Sequence, residues 1–230
     1  MLLFHAELET EHIQAETGSD PTLYNTFLES RPQVLETNAI DLVIELQRKY
    51  PTLRCHIVHL SAASALPAIR AAKAAGARLT IETCFHYLVL ASDSIPDKQP
   101  QFKCCPPIRD ESNRNALWEA LKDGTIDCIV SDHSPCVAEL KRLQDGDIIQ
   151  AWGGISTLGL GLSLLWTEGG KRGIGIGDIV RWTCEATAKH ASVNDRKGAL
   201  GVGYDADLLI WDPDAELKVL DDILPSTNNQ

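Results

Sequence analysis

Cys128-Ile129-Val130-Ser131-Asp132-His133-Ser134-Pro135 is the stretch on which the fold turns. Cys128 to Val130 is a short apolar run, suited to one buried strand, and it breaks at once into polar residues and a turn former. Taken alone, an Asp-His pair after a strand reads most simply as a solvated turn. Two earlier stretches change that reading. Leu2-Leu3-Phe4 ends in His5, and Cys55-His56-Ile57-Val58 ends in His59. Two histidines and an aspartate at three strand ends predict a metal site. Carboxylates delivered at the carboxyl ends of apolar strands are also how α/β barrels build their active sites.

The 230 residues are enough for one large domain or two small ones, and 44% hydrophobic with 23% charged residues predicts a buried core. The net charge of −11, without a Lys/Arg cluster, argues against nucleic acid or an anionic membrane as partner. The first residues lack the basic start and apolar length of a signal peptide. No apolar run approaches the roughly 20 residues that span a bilayer. Seven cysteines without a CxxC form a poor disulfide framework and a poor zinc finger, so reduced thiols in the cytoplasm are expected.

Along the chain, Met1 opens directly into a strand, which leads to the expectation that a further N-terminal portion belongs to the fold. Residues 7–31 are polar and irregular. After Pro32, Leu35, Ala39, Ile40, Val43, Ile44 and Leu46 recur at helical spacing, up to Tyr50-Pro51. In the strand that follows, alternation places Cys55, Ile57 and His59 on one face and His56 with Val58 on the other, so His56 is expected to pack or to lie at the surface. Ser61 or Ser64 is the expected cap of the next helix, which ends at Gly76. Residues 78–83 read as a strand, residues 98–110 as a Pro-rich loop, and residues 111–121 as a helix. Beyond Asp132, a long helical pattern is predicted from about Asp147 to Trp166, weakened by Gly153, Gly154, Gly159 and Gly161. Another helix is predicted over residues 179–191, and a turn then leads into a last strand over residues 201–211. Alternating strands and helices predict parallel strands with covering helices.

Six segments in this order resemble the cyclic amidohydrolases: Phe4-His5-Ala6-Glu7, Ile57-Val58-His59-Leu60-Ser61, Glu82-Thr83-Cys84-Phe85-His86-Tyr87, Cys104-Cys105-Pro106-Pro107-Ile108-Arg109-Asp110, Ser131-Asp132-His133-Ser134-Pro135 and Trp152-Gly153-Gly154. Within that group the likeness is to the allantoinases, with dihydropyrimidinases, hydantoinases and dihydroorotases as cousins. The choice rests on residues 106–110, 132–136 and 151–155. The resemblance implies a partial TIM-type (β/α)8 barrel, strands five to eight, in residues 1–195. It implies a C-terminal strand returning to an appended β-sandwich in residues 196–230. Such enzymes hold two divalent metals, usually zinc. By motif match His5 is the fifth-strand histidine, His59 the sixth-strand histidine and Asp132 the eighth-strand aspartate. The family's His-x-His pair and carboxylated lysine have no counterpart, and no His-x-His occurs in the sequence. The chain therefore resembles the C-terminal half of such an enzyme.

The implied reaction is hydrolysis of a cyclic ureide, allantoin to allantoate, in purine catabolism, with this chain a partial and inactive form. Asp132 would bind metal and carry the proton. Cys105, Pro106, Ser134 and Gly153 would line the substrate site, Cys105 standing where the family often has serine. The resemblance further implies a homo-oligomer, dimer or tetramer, when intact. A dihydropyrimidinase or hydantoinase and a non-catalytic scaffold are the competing expectations. For the remaining polar residues, His86 is expected to bond a backbone carbonyl, His133 to lie behind the metal ligands or on the substrate side, Trp152 to pack against the pocket, and His12 and His190 to be exposed. Cys104 and Cys105 read as buried thiols without a partner base.

Overall fold

The computed structural model describes residues 1–9 and 18–216, so His12 lies outside the described residues. Its centre is one parallel sheet ordered β1-β2-β3-β4: Leu2–Phe4, Cys55–Ile57, Leu79–Cys84 and Cys128–Val130. Leu3 pairs His56, which pairs Thr80; Phe4 pairs Ile57, which pairs Ile81; Cys84 pairs Val130. The three apolar runs quoted above and the strand expected over residues 78–83 are all strands, and all are parallel.

Side chains alternate across a strand, so the register sorts the sheet into two faces. Cys55, Ile57, Leu79, Ile81 and Ile129 belong to the hydrophobic core. The core is completed by α2 (Val34–Lys49), α3 (Leu66–Ala74) and α5 (Glu111–Lys122). Helix α2 buries Leu35, Ala39, Ile40, Val43 and Ile44 of the predicted stripe, while Leu46 is exposed. Helix α5 begins where Asp110 accepts a hydrogen bond from Asn113 N at 2.8 Å, an N-cap. The opposite face carries His56, Thr80, Glu82 and Cys128. His56 is wholly buried, with Nδ1 2.8 Å from Thr80 Oγ1 and Nε2 3.0 Å from Glu82 Oε2. It is thus a packed residue of a polar sheet face. His190, at the end of α8 (Ala186–His190), is not exposed as expected: its ring is half-buried, 4.0 Å from that of His56.

Several local expectations are corrected. Residues 7–31 hold a helix, α1 (Tyr24–Ser30), which buries Tyr24 and Phe27. Neither Ser61 nor Ser64 caps a helix; α3 follows a 3-10 turn at Ala63–Ala65, and Ala65 at its N-cap makes no side-chain bond. The backbone amides of Ser61 and Ala62 instead donate to Glu36 Oε2, both at 2.9 Å, from the neighbouring helix α2. Residues 147–160 are not helical, and the helix predicted there is confined to α6 (Gly161–Gly170). Gly159 takes a φ of +86°, which breaks the helix before it starts. Residues 176–190 do form one helical run, α7 (Ile176–Val180), a π turn over Arg181–Glu185 and α8. The expected last strand is absent from the described residues: 205–212 make no ladder, and Leu208, Leu209 and Ile210 are exposed. A strand is stable only against a neighbour, and none lies beside this segment.

Candidate functional site

Each strand end carries a polar side chain into one region. The backbone bends sharply there: Ala6, His59 and Asp132 have φ of +50°, +41° and +43°. Residues other than glycine adopt this region at a cost of order 1–3 kcal/mol, and such strain gathers at functional sites. It also corrects the face expected of His59. β2 ends at Ile57, and the turn at His59 breaks the alternation, so its ring leaves the face of Cys55 and Ile57 and meets His5. His5 Nδ1 lies 3.0 Å from His59 Nε2, with the rings edge to face.

Glu7, two residues beyond His5, orients this pair. His5 Nε2 is 2.8 Å from Glu7 Oε2, which also accepts from Arg31 Nη1 at 2.5 Å. Burial pushes the Glu7 carboxyl up, but the His5 hydrogen bond and the Arg31 charge outweigh it and hold the group below its usual range. A proton on His5 Nε2 facing Glu7 leaves Nδ1 with a lone pair directed at His59 Nε2. Histidines that ligate metals are oriented in this way by a carboxylate on the far nitrogen. His59 Nδ1 is buried and has no hydrogen-bond partner. Burial lowers the pKa of His59, Asp132 raises it and His5 lowers it again; the net direction is down, toward the neutral imidazole. Neutral imidazoles and a carboxylate suit an ion of the zinc class.

Asp132 also groups with residues at the end of β3 and the start of α4. One ligand atom each from Cys84, His86 and Asp132 lies within 4.8 Å of the others. Cys84 ends β3, and His86 stands in the first turn of α4 (Phe85–Val89). His86 does not bond a backbone carbonyl as expected: neither ring nitrogen has a partner. Burial, with a smaller contribution from His59, lowers its pKa to about 3. Burial likewise pushes the Cys84 thiol well up. His5 and His59 therefore form one close pair, and Asp132, grouped with Cys84 and His86, also acts on the charge of His59.

The four residues expected at the substrate belong to three loops packed together. A Cβ on Gly153 would stand 2.9 Å from Cys105 Sγ, and one on Gly154 would stand 2.5 Å from Ser134 Cβ. Ser134 N donates to Ile155 O at 3.2 Å, and Gly154 N to Lys103 O at 2.9 Å. Lys141 locks the assembly: its Nζ donates to the carbonyls of Lys103, Trp152 and Gly154 at 3.1, 2.9 and 2.5 Å. Pro106 O accepts from the buried Tyr87 OH at 2.7 Å. Burial raises the Cys105 thiol pKa, Arg31 opposes it and Glu7 adds to it, so this loop lies within the field of the His5 pair. Trp152 is exposed rather than packed; its main chain is what the loop uses. His133 Nδ1 accepts from Leu158 N at 3.1 Å, which turns it to a structural task.

Glu7 stood in a quoted segment, two residues from His5, and that short spacing was its available signal. Lys141 gave none, because no local pattern marks a lysine that gathers three distant carbonyls.

The chain matches the amidohydrolase family over residues 1–229. It is 47% identical over 222 residues to the allantoinase of Saccharomyces cerevisiae, a match covering 95% of this chain and 47% of that protein. It is 53% identical over 189 residues to the mitochondrial allantoinase of Aquarana catesbeiana, covering 82% and 39%. Among solved structures, the L-hydantoinase (dihydropyrimidinase) of Arthrobacter aurescens superposes with a TM-score of 0.83 at 31% identity, over 94% of this chain and 49% of that one. The chain thus spans about half the length of these relatives.

Proposed function

Because the chain belongs to the amidohydrolase family, we propose that it carries strands five to eight of a (β/α)8 barrel and one side of the catalytic site of a zinc-dependent allantoinase. Residues 1–195 would be the barrel half, and residues 196–230 the segment returning to a small β-sandwich. The observation that carries the reading is the meeting of His5 with His59 at the carboxyl ends of parallel strands, beside an aspartate on a third strand end. The names of the relatives supply the substrate class.

His5, His59 and Asp132 would hold metal, with Glu7 fixing the His5 tautomer. When bound, the metal makes water acidic enough to attack and polarises the ring carbonyl. The chain's own residues handle the proton and the ring. Asp132 takes the proton of the attacking water on a carboxylate oxygen and passes it to the leaving ring nitrogen. A C–O bond forms as the ring C–N bond breaks, and the cyclic amide becomes an open carboxylate. Main-chain groups around Cys105, Pro106, Ser134 and Gly153, held by Lys141 and Tyr87, would fix the ring's orientation. The family's remaining ligands, a His-x-His pair and a carboxylated lysine, have no counterpart in this sequence. The 230 residues alone are therefore expected to be inactive, and the intact enzyme a homo-oligomer.

The likeness to a solved L-hydantoinase favours one second reading, a hydantoinase or dihydropyrimidinase. Co-expressing the chain with the half of the Saccharomyces cerevisiae relative that it does not match, then comparing turnover of allantoin, hydantoin and dihydrouracil, separates the two. Preference for allantoin is the expected outcome; preference for dihydrouracil would replace the substrate.

A further inference from the structure

β3 and β4 are neighbours, and Cys84 is in register with Val130. The chain then turns in opposite tasks at the two ends. β3 passes directly into α4, which carries His86 two residues beyond Cys84, and β4 opens into a bend at Asp132. Thiol, imidazole and carboxylate are thereby brought together from two adjacent strands, and among the described residues they are the one set of three ligating side chains within 4.8 Å of each other. Cys84 is fully buried and His86 is 2% exposed. Neither nitrogen of His86 has a hydrogen-bond partner, although a thiol and a carboxylate face it. A buried imidazole left without partners is unfavourable, so a group that satisfies it is favoured there. Separations of up to 4.8 Å are wider than two bonds of about 2.0–2.3 Å to one ion, so binding would draw the three side chains together by about 1 Å.

We infer that Cys84, His86 and Asp132 form a thiolate-containing site for a divalent transition metal of the zinc class, separate from the His5–His59 pair. The site shares Asp132 with the function proposed above but needs neither His5 nor His59. Metal held here takes up the Asp132 carboxylate, so an ion in this site competes with the proton transfer proposed above. The soft sulfur selects zinc or cobalt over magnesium or calcium. Binding displaces the thiol proton to solvent as the sulfur–metal bond forms, so affinity rises with pH.

The test uses divalent cobalt on the purified 230-residue chain. A thiolate ligand gives a sulfur-to-cobalt charge-transfer band in the near ultraviolet, which histidine and carboxylate ligands do not give. The band is expected in the wild type and in His59→Ala, and it disappears in Cys84→Ser. His86→Gln keeps the polar volume and is expected to weaken cobalt binding by at least about tenfold. No band in the wild type, or a band that survives Cys84→Ser, overturns the site. Cobalt lost in His59→Ala but retained in Cys84→Ser would leave the His5–His59 reading standing and remove this one. Should Cys84→Ser not fold, unchanged affinity in His86→Gln overturns the site by itself.

Discussion

Glu7 decides what His5 can be. By accepting from His5 Nε2 and from Arg31, it fixes which imidazole nitrogen carries the lone pair that faces His59. Glu7→Gln is expected to lower zinc affinity by about 10–100-fold while secondary structure is kept, because the carboxylate behind a ligating histidine sets its basicity and angle. Isothermal titration with zinc checks this, and unchanged affinity would remove His5 from the metal. His86 gives a second prediction, in the chelated chain. Its folded pKa of about 3 lies below the ordinary histidine value. Between those pH values the unfolded chain binds the extra proton, so stability falls as pH drops below about 6.5, at about 1.4 kcal/mol per pH unit, until pH approaches 3. Denaturant midpoints measured from pH 7 to pH 4 should show that slope, and His86→Gln should flatten it. At this scale His5, His59 and Asp132 were named because each ends an apolar run, and the structure brings His5 against His59. Cys84 and His86 were quoted, but His86 was read as structural and Cys84 was given no role, since their approach to Asp132 depends on the pairing of two strands.

Among the elements, the four strands were legible because a buried parallel strand needs only a short apolar run bounded by turn formers. Helix α2 was legible from its stripe. What failed depended on remote contacts or on single backbone angles. Residues 147–160 have apolar spacing, yet Gly159 at positive φ and the bridge of His133 to Ile155 draw them into the site loops. Glu36 was an unremarked position in a helix, although it replaces the expected serine caps and accepts from Arg109 Nη2 at 3.1 Å. Lys141 acts at this scale, since it joins the segments at Lys103, Trp152 and Gly154. Lys141→Met leaves those carbonyls without their donor and is expected to destabilise the chain by about 1–3 kcal/mol. Exchange of the Gly154 amide should quicken, because its bond to Lys103 O belongs to the same assembly. Slow Gly154 exchange in the variant would show that the loop holds without the lysine.

For the whole molecule, β1 and β4 are the edges of the sheet, and Leu2 and Leu3 on β1 are exposed with Leu208, Leu209 and Ile210 farther along the chain. Unpaired strand edges and contiguous apolar surface favour association. The 230-residue chain by itself is expected to associate with rising concentration in light scattering, and a monodisperse monomer would contradict that. No helix among the described residues is long and apolar enough to cross a membrane. The central claim, that strand ends carrying His5, His59 and Asp132 form one side of a hydrolytic metal site, is tested most directly by one rate. It is the initial rate of allantoin hydrolysis, with zinc, by the chain co-expressed with the unmatched half of the Saccharomyces cerevisiae relative, for wild type and Asp132→Ala. Turnover in the wild type and its loss by several orders of magnitude in Asp132→Ala is the expected result. Equal turnover in the two would contradict the role assigned to Asp132 and, with it, the site.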